Sequence, residues 1–334
     1  MGLLSADDRR WMAAALALAT RGRGRTAPNP NVGCVIVQQG RVVGRGWTQP
    51  GGRPHAEAVA LALAGEKSRG ATAYVTLEPC AHESPRGPAC ASLLVEAGVA
   101  RVVIALGDPD PRTDGAGIAR LEAAGIAVAT GVLTEVARQT MAGFLTRQAL
   151  GRPQVTLKLA TSLDGCIARA DGESRWITGP EARAHAHLER ARHEAILVGR
   201  GTWEADRPRL DVRLAGLEQR GPRRLILTNR HSGESWGDGI WERVDSPEAV
   251  ADLAGVDHLL VEGGAATASS FLAADLVDRL LLYRAPILIG GGRPALGDIG
   301  LGALAEAHGR WRLADARPLG SDRLEVYERA RGDR

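Results

Sequence analysis

Residue types that bind transition metals come together in the first third of the 334-residue chain. His55 and Glu57 open a predicted helix as His-Ala-Glu. Cys80 follows Pro79 at the end of a predicted strand, and Cys90 lies further along. One imidazole and two thiolates form a ligand set that zinc accepts in tetrahedral geometry, with the fourth position left for water. The pattern therefore predicts that His55, Cys80 and Cys90 hold zinc. Glu57 is the predicted catalytic residue, because it can move a proton of the water that zinc activates.

This order of residues is typical of zinc deaminases, in which activated water attacks the amidine-like carbon of a base and the glutamate protonates the leaving amine. Their usual pattern is His-x-Glu followed by Pro-Cys-x-x-Cys, whereas here nine residues separate Cys80 from Cys90. His82 is an alternative third ligand, although a ligand two residues from Cys80 would strain the tetrahedron. A structural explanation also stays open, in which both cysteines are buried thiols and His55 and Glu57 are ordinary helix residues.

Glycines follow predicted strands in the second half of the chain. No complete Gly-x-Gly-x-x-Gly is present there, since residues 199–204 lack the last glycine, and a Rossmann domain is not supported. Residues 261–264 lie between a strand and a helix, and residues 290–292 are three successive glycines. Such glycines let backbone N–H groups approach an anion. Glycine pairs at a strand–helix junction are more often tight turns, so the motif alone is weak.

Predicted strands and helices alternate along the chain and place these residues at strand ends and helix starts. Ser5 and Asp8 form a capping-box-like start to an amphipathic first helix. In the first half we predict strands at 32–37, 42–47, 73–77, 101–106 and 126–129, and helices at 54–64, 91–97, 118–124 and 134–149. In the second half we predict strands at 155–160, 195–198, 225–228, 258–261 and 280–283, and helices at 180–191 and 267–274. The alternation predicts an α/β protein, and the break at residues 151–153 divides it into domains at 1–146 and 151–330.

Composition limits the classes of function. Hydrophobic residues are 44% of the chain and charged residues 24%, as in folded globular proteins. The net charge of +3 is small. It divides into +4 for residues 1–150, with 16 basic and 12 acidic side chains, and −1 for the remainder, with 26 and 27. Neither half therefore resembles a nucleic-acid-binding surface. We expect no membrane partner, no signal peptide, no disulfides among four cysteines, and a cytoplasmic location.

Several segments resemble the bifunctional riboflavin-biosynthesis deaminase/reductases. Similar to the deaminase half are TAPNPNVGCVIV (26–37), GGRPHAEAVALALAG (51–65), GATAYVTLEPCAH (70–82) and GPACASLLVEAGVARVV (87–103). Similar to the reductase half are KLATSLDG (158–165), GESRWITG (172–179), ILVGRGTWEADRPRLDVR (196–213) and LVEGGAATASSFL (260–272). In that family the second cysteine also lies some residues beyond the first. The resemblance implies a cytidine-deaminase-like α/β/α domain followed by a dihydrofolate-reductase-like α/β domain.

The resemblance also implies two successive reactions. The first domain would use zinc to deaminate 2,5-diamino-6-(5-phosphoribosylamino)pyrimidin-4(3H)-one to 5-amino-6-(5-phosphoribosylamino)uracil. The second would use NADPH to reduce the ribosyl group to ribityl. Asn31 would contact the pyrimidine, although Asn-Pro pairs also form turns without any ligand. Cys34 and Cys166 are expected to be core residues or to lie behind the ligands.

The family's reductase sites map onto this chain residue by residue. The residues implied to line the nicotinamide cofactor are Ala160, Trp176, Thr202, Asp206, Asn229, Gly264, Ala265, Ala266, Thr267, Ala268, Ser269 and Ser270. The residues implied to meet the phosphoribosyl substrate are Ser174, Arg190, Leu210, Arg213 and Glu262. Lys158 is a further candidate for orienting the ribose. Arg207 stands where the family tends to have a second aspartate, and Cys166 where a basic residue is common.

Three other functions are compatible with parts of this sequence. A nucleic-acid base editor would keep the zinc site but needs a basic groove with aromatic side chains, which the first half lacks. A zinc-stabilised nucleotide-binding module would be non-enzymatic, and Glu57 beside the metal argues against it. A third alternative is that one of the two halves is inactive. Arg207, which departs from the family pattern, favours the reductase as that half. Homo-oligomerisation is compatible with the sequence.

Overall fold

The computed structural model describes residues 5–83, 86–229 and 241–331. The chain divides into two compact units, Met1–Gly151 and Arg152–Arg334. Strands and helices alternate in both units, and each unit is built around its own mixed or largely parallel sheet. No helix in the described part of the chain has the length and apolar character to cross a membrane.

The first unit carries a five-stranded sheet in the order β2-β1-β3-β4-β5. Its strands are β1 (Gly33–Gln38), β2 (Arg41–Trp47), β3 (Thr72–Val75), β4 (Arg101–Ile104) and β5 (Ala127–Thr130). Its helices are α1 (Ala6–Ala19), α2 (Ala56–Ala64), α3 (Cys90–Glu96), α4 (Ala116–Ala123), α5 (Thr134–Thr140) and α6 (Ala142–Leu150). The predicted hairpin is confirmed as antiparallel β1 and β2, while β3, β4 and β5 run parallel to one another.

The predicted cap of the first helix is confirmed and extends into a buried polar cluster. Ser5 and Asp8 exchange hydrogen bonds between side chain and backbone at the start of α1. The Asp8 carboxylate also accepts two hydrogen bonds from Arg101 and one from Tyr74. The Arg101 guanidinium holds the pKa of Asp8 at about 2, although burial opposes this change. This cluster fixes α1 against β3 and β4.

The predicted helix at 134–149 is two helices, α5 and α6. Met141 separates them with φ −106° and ψ 19°, outside the helical region, and its side chain is buried in the core. The carbonyl of the preceding residue, Thr140, accepts a hydrogen bond from the Asn31 side chain. A buried side chain and a tertiary hydrogen bond therefore set the break, and neither is visible in helical periodicity.

The second unit carries an eight-stranded sheet in the order β10-β9-β8-β11-β6-β12-β15-β14 and a two-stranded pair, β13-β7. Its strands are β6 (Gln154–Thr161), β7 (Cys166–Ala168), β8 (Ala195–Gly199), β9 (Arg223–Leu227), β10 (Trp241–Val244), β11 (His258–Val261), β12 (Val277–Arg284), β13 (Arg293–Pro294), β14 (Trp311–Leu319) and β15 (Asp322–Arg329). Its helices are α7 (Pro180–Arg190), α8 (Arg200–Asp206) and α9 (Ala265–Ala273). The five strands and two helices predicted here are all present.

Six neighbouring strands of this sheet, from β10 to β12, are parallel, and β15 and β14 add an antiparallel edge. The central strands β8 and β11 are buried along their whole length, as expected for parallel strands covered on both faces. Helix α8 begins directly after β8, and α9 begins after a three-residue turn that follows β11, both at the carboxyl edge of the sheet. That edge is where ligands bind in open parallel sheets.

Candidate functional sites

The predicted zinc ligands lie together in the first unit. His55 is the residue before α2, Cys90 is the first residue of α3, and Cys80 lies in the loop after β3. His55 Nδ1 is 3.3 Å from Cys90 Sγ and 3.7 Å from Cys80 Sγ. All three donor atoms lie within 4.8 Å of one another. Within the described ranges, no other group of histidine, cysteine and acidic side chains has this spacing, and His82 is not part of it.

The donor set fits zinc. Bonds of about 2.3 Å to sulfur and 2.0–2.1 Å to nitrogen place tetrahedral donors roughly 3.5 Å apart, close to the observed separations. A hydrogen bond from Cys90 and the nearby His55 lower the pKa of Cys80 to about 4, against the effect of burial. The same hydrogen bond and burial raise the pKa of Cys90. Zinc binds the thiolate form of cysteine, so the low pKa of Cys80 favours binding.

Glu57 is the second residue of α2, with its side chain buried beside the cluster. Burial raises the pKa of this carboxyl group to about 7, and the charge of Cys80 adds to the effect while His55 opposes it. Cys34, on β1, is buried in the core near Glu57. Burial and the charge of Glu57 raise the pKa of the Cys34 thiol. The structure thus places an acid that can carry a proton next to the three ligand atoms.

The asparagine next to the zinc cluster is Asn29, not Asn31. The Asn29 amide lies 2.8 Å from His55 Nε2, the ring nitrogen that faces away from the sulfurs, and donates to Gly52 O at 3.1 Å. Asn31 is buried, and its amide nitrogen donates to the backbone carbonyls of Ala19 and Thr140. The base contact of Asn31 stays a prediction, but its amide nitrogen already has two partners within the protein.

Sequence reasoning missed Glu78, which fixes the loop that carries Cys80. This buried carboxylate accepts hydrogen bonds from the backbone N–H groups of Gly115, Gly117 and Ile118 at 3.0–3.1 Å, at the start of α4. A carboxylate is favourable at a helix start because the unpaired N–H groups carry partial positive charge. The only sequence signal was an acidic residue directly before Pro-Cys.

The second site is a cavity of about 1,100 Å³ at the carboxyl edge of the second sheet. Its walls come from the ends of β6 and β8, from the turn after β11 and from α7. Most of the predicted reductase residues line it: Lys158, Ala160, Ser174, Trp176, Arg190, Thr202, Asp206, Leu210, Arg213, Glu262, Gly264, Ala265, Ala266 and Thr267. This volume exceeds the usual 300–1,000 Å³ of small-molecule sites, as expected where a dinucleotide and a substrate bind side by side.

Four predicted cofactor residues do not line this cavity. Ala268 packs in the hydrophobic core on the inner face of α9. Ser269 Oγ accepts a hydrogen bond from Gly297 N, and Ser270 Oγ donates to Thr267 O. Asn229 is exposed at the end of a described range. A helix turns about 100° per residue, so a continuous segment cannot present all its members to one ligand. The cofactor contacts of these residues stay predictions.

The turn after β11 approaches its neighbours closely because it is built from glycines. A side chain on Gly263 would place its Cβ 2.5 Å from Thr267 Cβ, and one on Gly199 would collide with Thr267 Oγ1. Gly264 N donates to Thr202 Oγ1 at 3.2 Å, which connects the starts of α8 and α9. These glycines therefore have a packing role. In the other glycine run, Gly290 N donates to the Asp164 carboxylate at 2.8 Å, so the protein itself supplies an anion there.

Arg190 and Glu262, both predicted to bind substrate, are bonded to each other. Arg190 Nε and Nη2 donate to the two carboxylate oxygens of Glu262 at 2.8 and 2.9 Å. Lys158 Nζ lies 3.9 Å from the same carboxylate. Burial alone would raise the pKa of Glu262, but the charges of Arg190 and Lys158 lower it to about 2. Both partners line the cavity, yet most of their hydrogen-bonding capacity is already used.

Arg213 lies at the rim of the cavity. So do Asp206 and Arg207, the latter at the position where the family tends to have a second aspartate. The Arg213 side chain is 61% exposed, and its Nε lies 3.5 Å from Asp211 Oδ1. Asp206 Oδ1 lies 3.4 Å from Arg175 Nη2. The Arg207 guanidinium stacks on Trp203, with 4.7 Å to the ring centroid. Arg207 therefore has Trp203 as an aromatic partner, and Asp206 is paired with Arg175.

Family comparisons agree with both sites. The family model for the zinc-binding region of cytidine and deoxycytidylate deaminases matches residues 5–106, which include the zinc cluster. The model for the RibD C-terminal domain matches residues 153–324, which include the cavity. The confirmed fold classes are thus a cytidine-deaminase-like domain followed by a dihydrofolate-reductase-like domain.

Whole-chain comparisons extend this agreement. The riboflavin biosynthesis protein RibD of Escherichia coli (strain K12) is 42% identical over 362 residues, covering 95% of this chain and 98% of its own. A solved structure of Acinetobacter baumannii RibD has a TM-score of 0.85 and 37% identity, covering 97% of this chain and 99% of its own. A Thermotoga maritima structure described as a diaminohydroxyphosphoribosylaminopyrimidine deaminase/5-amino-6-(5-phosphoribosylamino)uracil reductase has a TM-score of 0.85 and 32% identity, with the same coverage.

Proposed function

Because the chain belongs to the RibD family of bifunctional riboflavin-biosynthesis deaminase/reductases, which use zinc and NADPH, we propose that its two domains act in turn on one phosphoribosylaminopyrimidine. Residues 1–146 deaminate 2,5-diamino-6-(5-phosphoribosylamino)pyrimidin-4(3H)-one. Residues 151–330 reduce the ribosyl group of the resulting uracil to ribityl. The substrates named for the Thermotoga maritima protein and the two compact units of this chain support the proposal.

In the deaminase domain His55, Cys80 and Cys90 hold the zinc. Bound zinc polarises water, which becomes a nucleophile near neutral pH. Glu57 takes a proton on its carboxylate and delivers it to the amine that leaves the pyrimidine ring. With Nδ1 on the metal, His55 Nε2 carries the ring proton and donates, so Asn29 would accept it through its amide oxygen and keep the ring in the orientation in which Nδ1 faces the two sulfurs. Asn31 remains our second asparagine candidate for contact with the base.

In the reductase domain the cavity holds NADPH and the substrate together. NADPH supplies a hydride for the ribose C1′, and the protein positions the two molecules. The turn at Gly264 and the side chains of Thr202, Asp206 and Trp176 form the cofactor wall. Arg213 binds the 5′-phosphate, because a guanidinium group can donate two parallel hydrogen bonds to phosphate oxygens. Ser174, Leu210 and the Arg190–Glu262 pair complete the substrate wall, with Lys158 near the ribose.

The partners follow from the same assignment. We propose an enzyme that acts on small molecules in the cytoplasm, with neither nucleic acid nor a membrane as a partner. The small net charge of +3 supports the first exclusion. A homo-oligomer is compatible with this function.

The observation that carries the deaminase assignment is Glu57 buried beside three zinc-ligand atoms. We expect Glu57→Gln to keep the zinc and the fold but to lower the deamination rate by roughly 10²- to 10⁴-fold, the usual contribution of a general acid or base. Reduction of supplied deaminated substrate should be unchanged. Glu66→Gln, an exposed glutamate just after the same helix, is the matched control. A parallel loss of reductase activity in Glu57→Gln would contradict two separate sites.

A further inference from the structure

His187, on α7, lies in the reductase cavity between two arginines. His187 Nδ1 is 3.0 Å from Asp211 O, and His187 Nε2 is 3.3 Å from Arg213 Nε. Arg190 lies one turn further along the same helix, with its guanidinium bonded to Glu262. The imidazole therefore connects α7 to the segment that carries Arg213.

The neighbours of this imidazole select one protonation state. A carbonyl oxygen only accepts, so the contact with Asp211 O requires a proton on Nδ1. Nε2 then has a free lone pair and accepts from the Nε–H of Arg213. The opposite tautomer would accept from Arg213 N, 3.3 Å from Nδ1, but would leave two donors facing each other at Nε2. Burial and the charge of Arg190 lower the pKa of His187, which favours the neutral ring.

The effect on Arg213 is to fix one end of its guanidinium group. The Arg213 side chain is long and 61% exposed, so an ordered position costs side-chain entropy. His187 occupies Nε, and the terminal nitrogens Nη1 and Nη2 have no partner among the described residues. The competing anion is the Asp211 carboxylate, 3.5 Å from Nε. Without the imidazole, the guanidinium would be free to turn toward that carboxylate.

We propose that His187 is a positioning residue that holds the Arg213 guanidinium toward the 5′-phosphate of the reductase substrate. The inference rests on the proposed function, in which Arg213 binds this phosphate. His187 itself does not need to touch the substrate. It acts through Arg213, so its contribution should disappear when Arg213 is removed.

The test is a double-mutant cycle on reductase kinetics. We expect Arg213→Ala to raise the KM for the deaminated substrate roughly 10- to 100-fold, from the strength of a charge-assisted bidentate contact. His187→Leu, which keeps volume but removes both ring nitrogens, should raise the KM roughly 5- to 20-fold with kcat nearly unchanged. The double variant should match Arg213→Ala within about twofold. His187→Gln should restore most of the affinity, because an amide can also donate to Asp211 O and accept from Arg213 Nε.

Controls separate positioning from folding. His185→Gln, two residues away on the same helix and bonded to Tyr283 instead, should leave the KM unchanged. The NADPH affinity of every variant should stay near that of the wild type, and a dephosphorylated substrate should bind the wild type and His187→Leu equally. If Arg213→Ala leaves the KM unchanged, both the phosphate contact and this inference are wrong. If Arg213→Ala raises the KM and His187→Leu does not, or if the two effects multiply in the double variant, only the inference is overturned. A His187→Gln variant as impaired as His187→Leu would also overturn it.

Discussion

The Arg190–Glu262 pair predicts strongly non-additive effects on stability. Both side chains are largely buried, at 14% and 10% exposed, and they share two hydrogen bonds. Removing one partner leaves the other as a buried charge without its main counter-ion. Removing both leaves only Lys158, 3.9 Å from the same carboxylate and partly exposed, without its partner, so the second substitution should recover part of the stability lost through the first.

The magnitude follows from the pKa of Glu262. Its pKa falls from an ordinary value of 4.5 to about 2, and at about 1.4 kcal/mol for each pKa unit this difference corresponds to roughly 3 kcal/mol. The usual cost of breaking a buried ion pair, about 3–5 kcal/mol, agrees with this figure. Because the folded-state pKa is lowered, the stabilisation is present above pH 4.5 and is lost as the pH falls toward 2.

The assay must report on the second unit alone, because the chain has two compact units and a single unfolding transition is not assured. Native-state hydrogen exchange, followed by mass spectrometry on peptides from α7 and β11, gives the free energy of opening for that unit. At pH 7 we expect Arg190→Met and Glu262→Gln each to lower it by about 3 kcal/mol. The double variant should lose clearly less than the sum, with a coupling energy of about 2–3 kcal/mol.

Arg169 and Glu173 provide the matched control, since this ion pair lies in the loop after β7 and both side chains are more than half exposed. Its coupling energy should be below about 0.5 kcal/mol. Additive losses at Arg190 and Glu262 would refute the reasoning. A double variant that is stable but fails to bind the reductase substrate would show that the pair also contacts that substrate, as the family resemblance implies.

Three further predictions concern the first unit. Cys90→Ser should abolish tight zinc binding, measured as metal content after dialysis, whereas Cys34→Ser should retain about one zinc per chain; full zinc content in Cys90→Ser would exclude Cys90 as a ligand. Asp8→Asn should lower the unfolding free energy by about 2 kcal/mol at pH 7, and the difference should close as the pH falls from 3.8 toward 2, because Arg101 lowers the pKa of Asp8 in the folded state. Glu78→Gln should speed zinc release to a chelator, because the start of α4 would lose a charged acceptor; an unchanged release rate would show that this residue does not position Cys80.

The zinc cluster was predictable because its chemistry depends on residue type and chain order. Few side chains bind zinc, and His55, Cys80 and Cys90 follow the order of elements that deaminases use. Asn29 and Glu78 were missed because their roles depend on distances that no local pattern encodes. Asn29 and Asn31 flank the same proline, and only the tertiary fold directs one toward His55 and the other toward backbone carbonyls.

The same contrast applies to the fold. Apolar periodicity predicted the buried strands β8 and β11, where every residue is in the core. It gave no signal for β14, whose residues are mostly exposed and whose pairing with β15 supplies its regularity. A strand at the sheet edge is defined by its hydrogen-bonded neighbour more than by its own side chains. Edge strands of this kind are therefore found from the structure.

Arginines show most clearly why residue type alone does not identify a ligand-binding group. Only two of the 42 basic residues are lysines, so arginine content carries little information about any one position. The structure separates arginines by what their guanidinium groups already bind. Arg152 and Arg190 each make bidentate contacts with a buried carboxylate, Asp278 and Glu262 respectively. Among the residues that the structure describes, Arg213 is held through Nε alone and keeps both terminal nitrogens available in the cavity. A guanidinium group that is already neutralised gains little from a phosphate, because the new contact must compete with the old one. Loss of Arg190 should therefore appear first in stability, and loss of Arg213 in the KM for substrate.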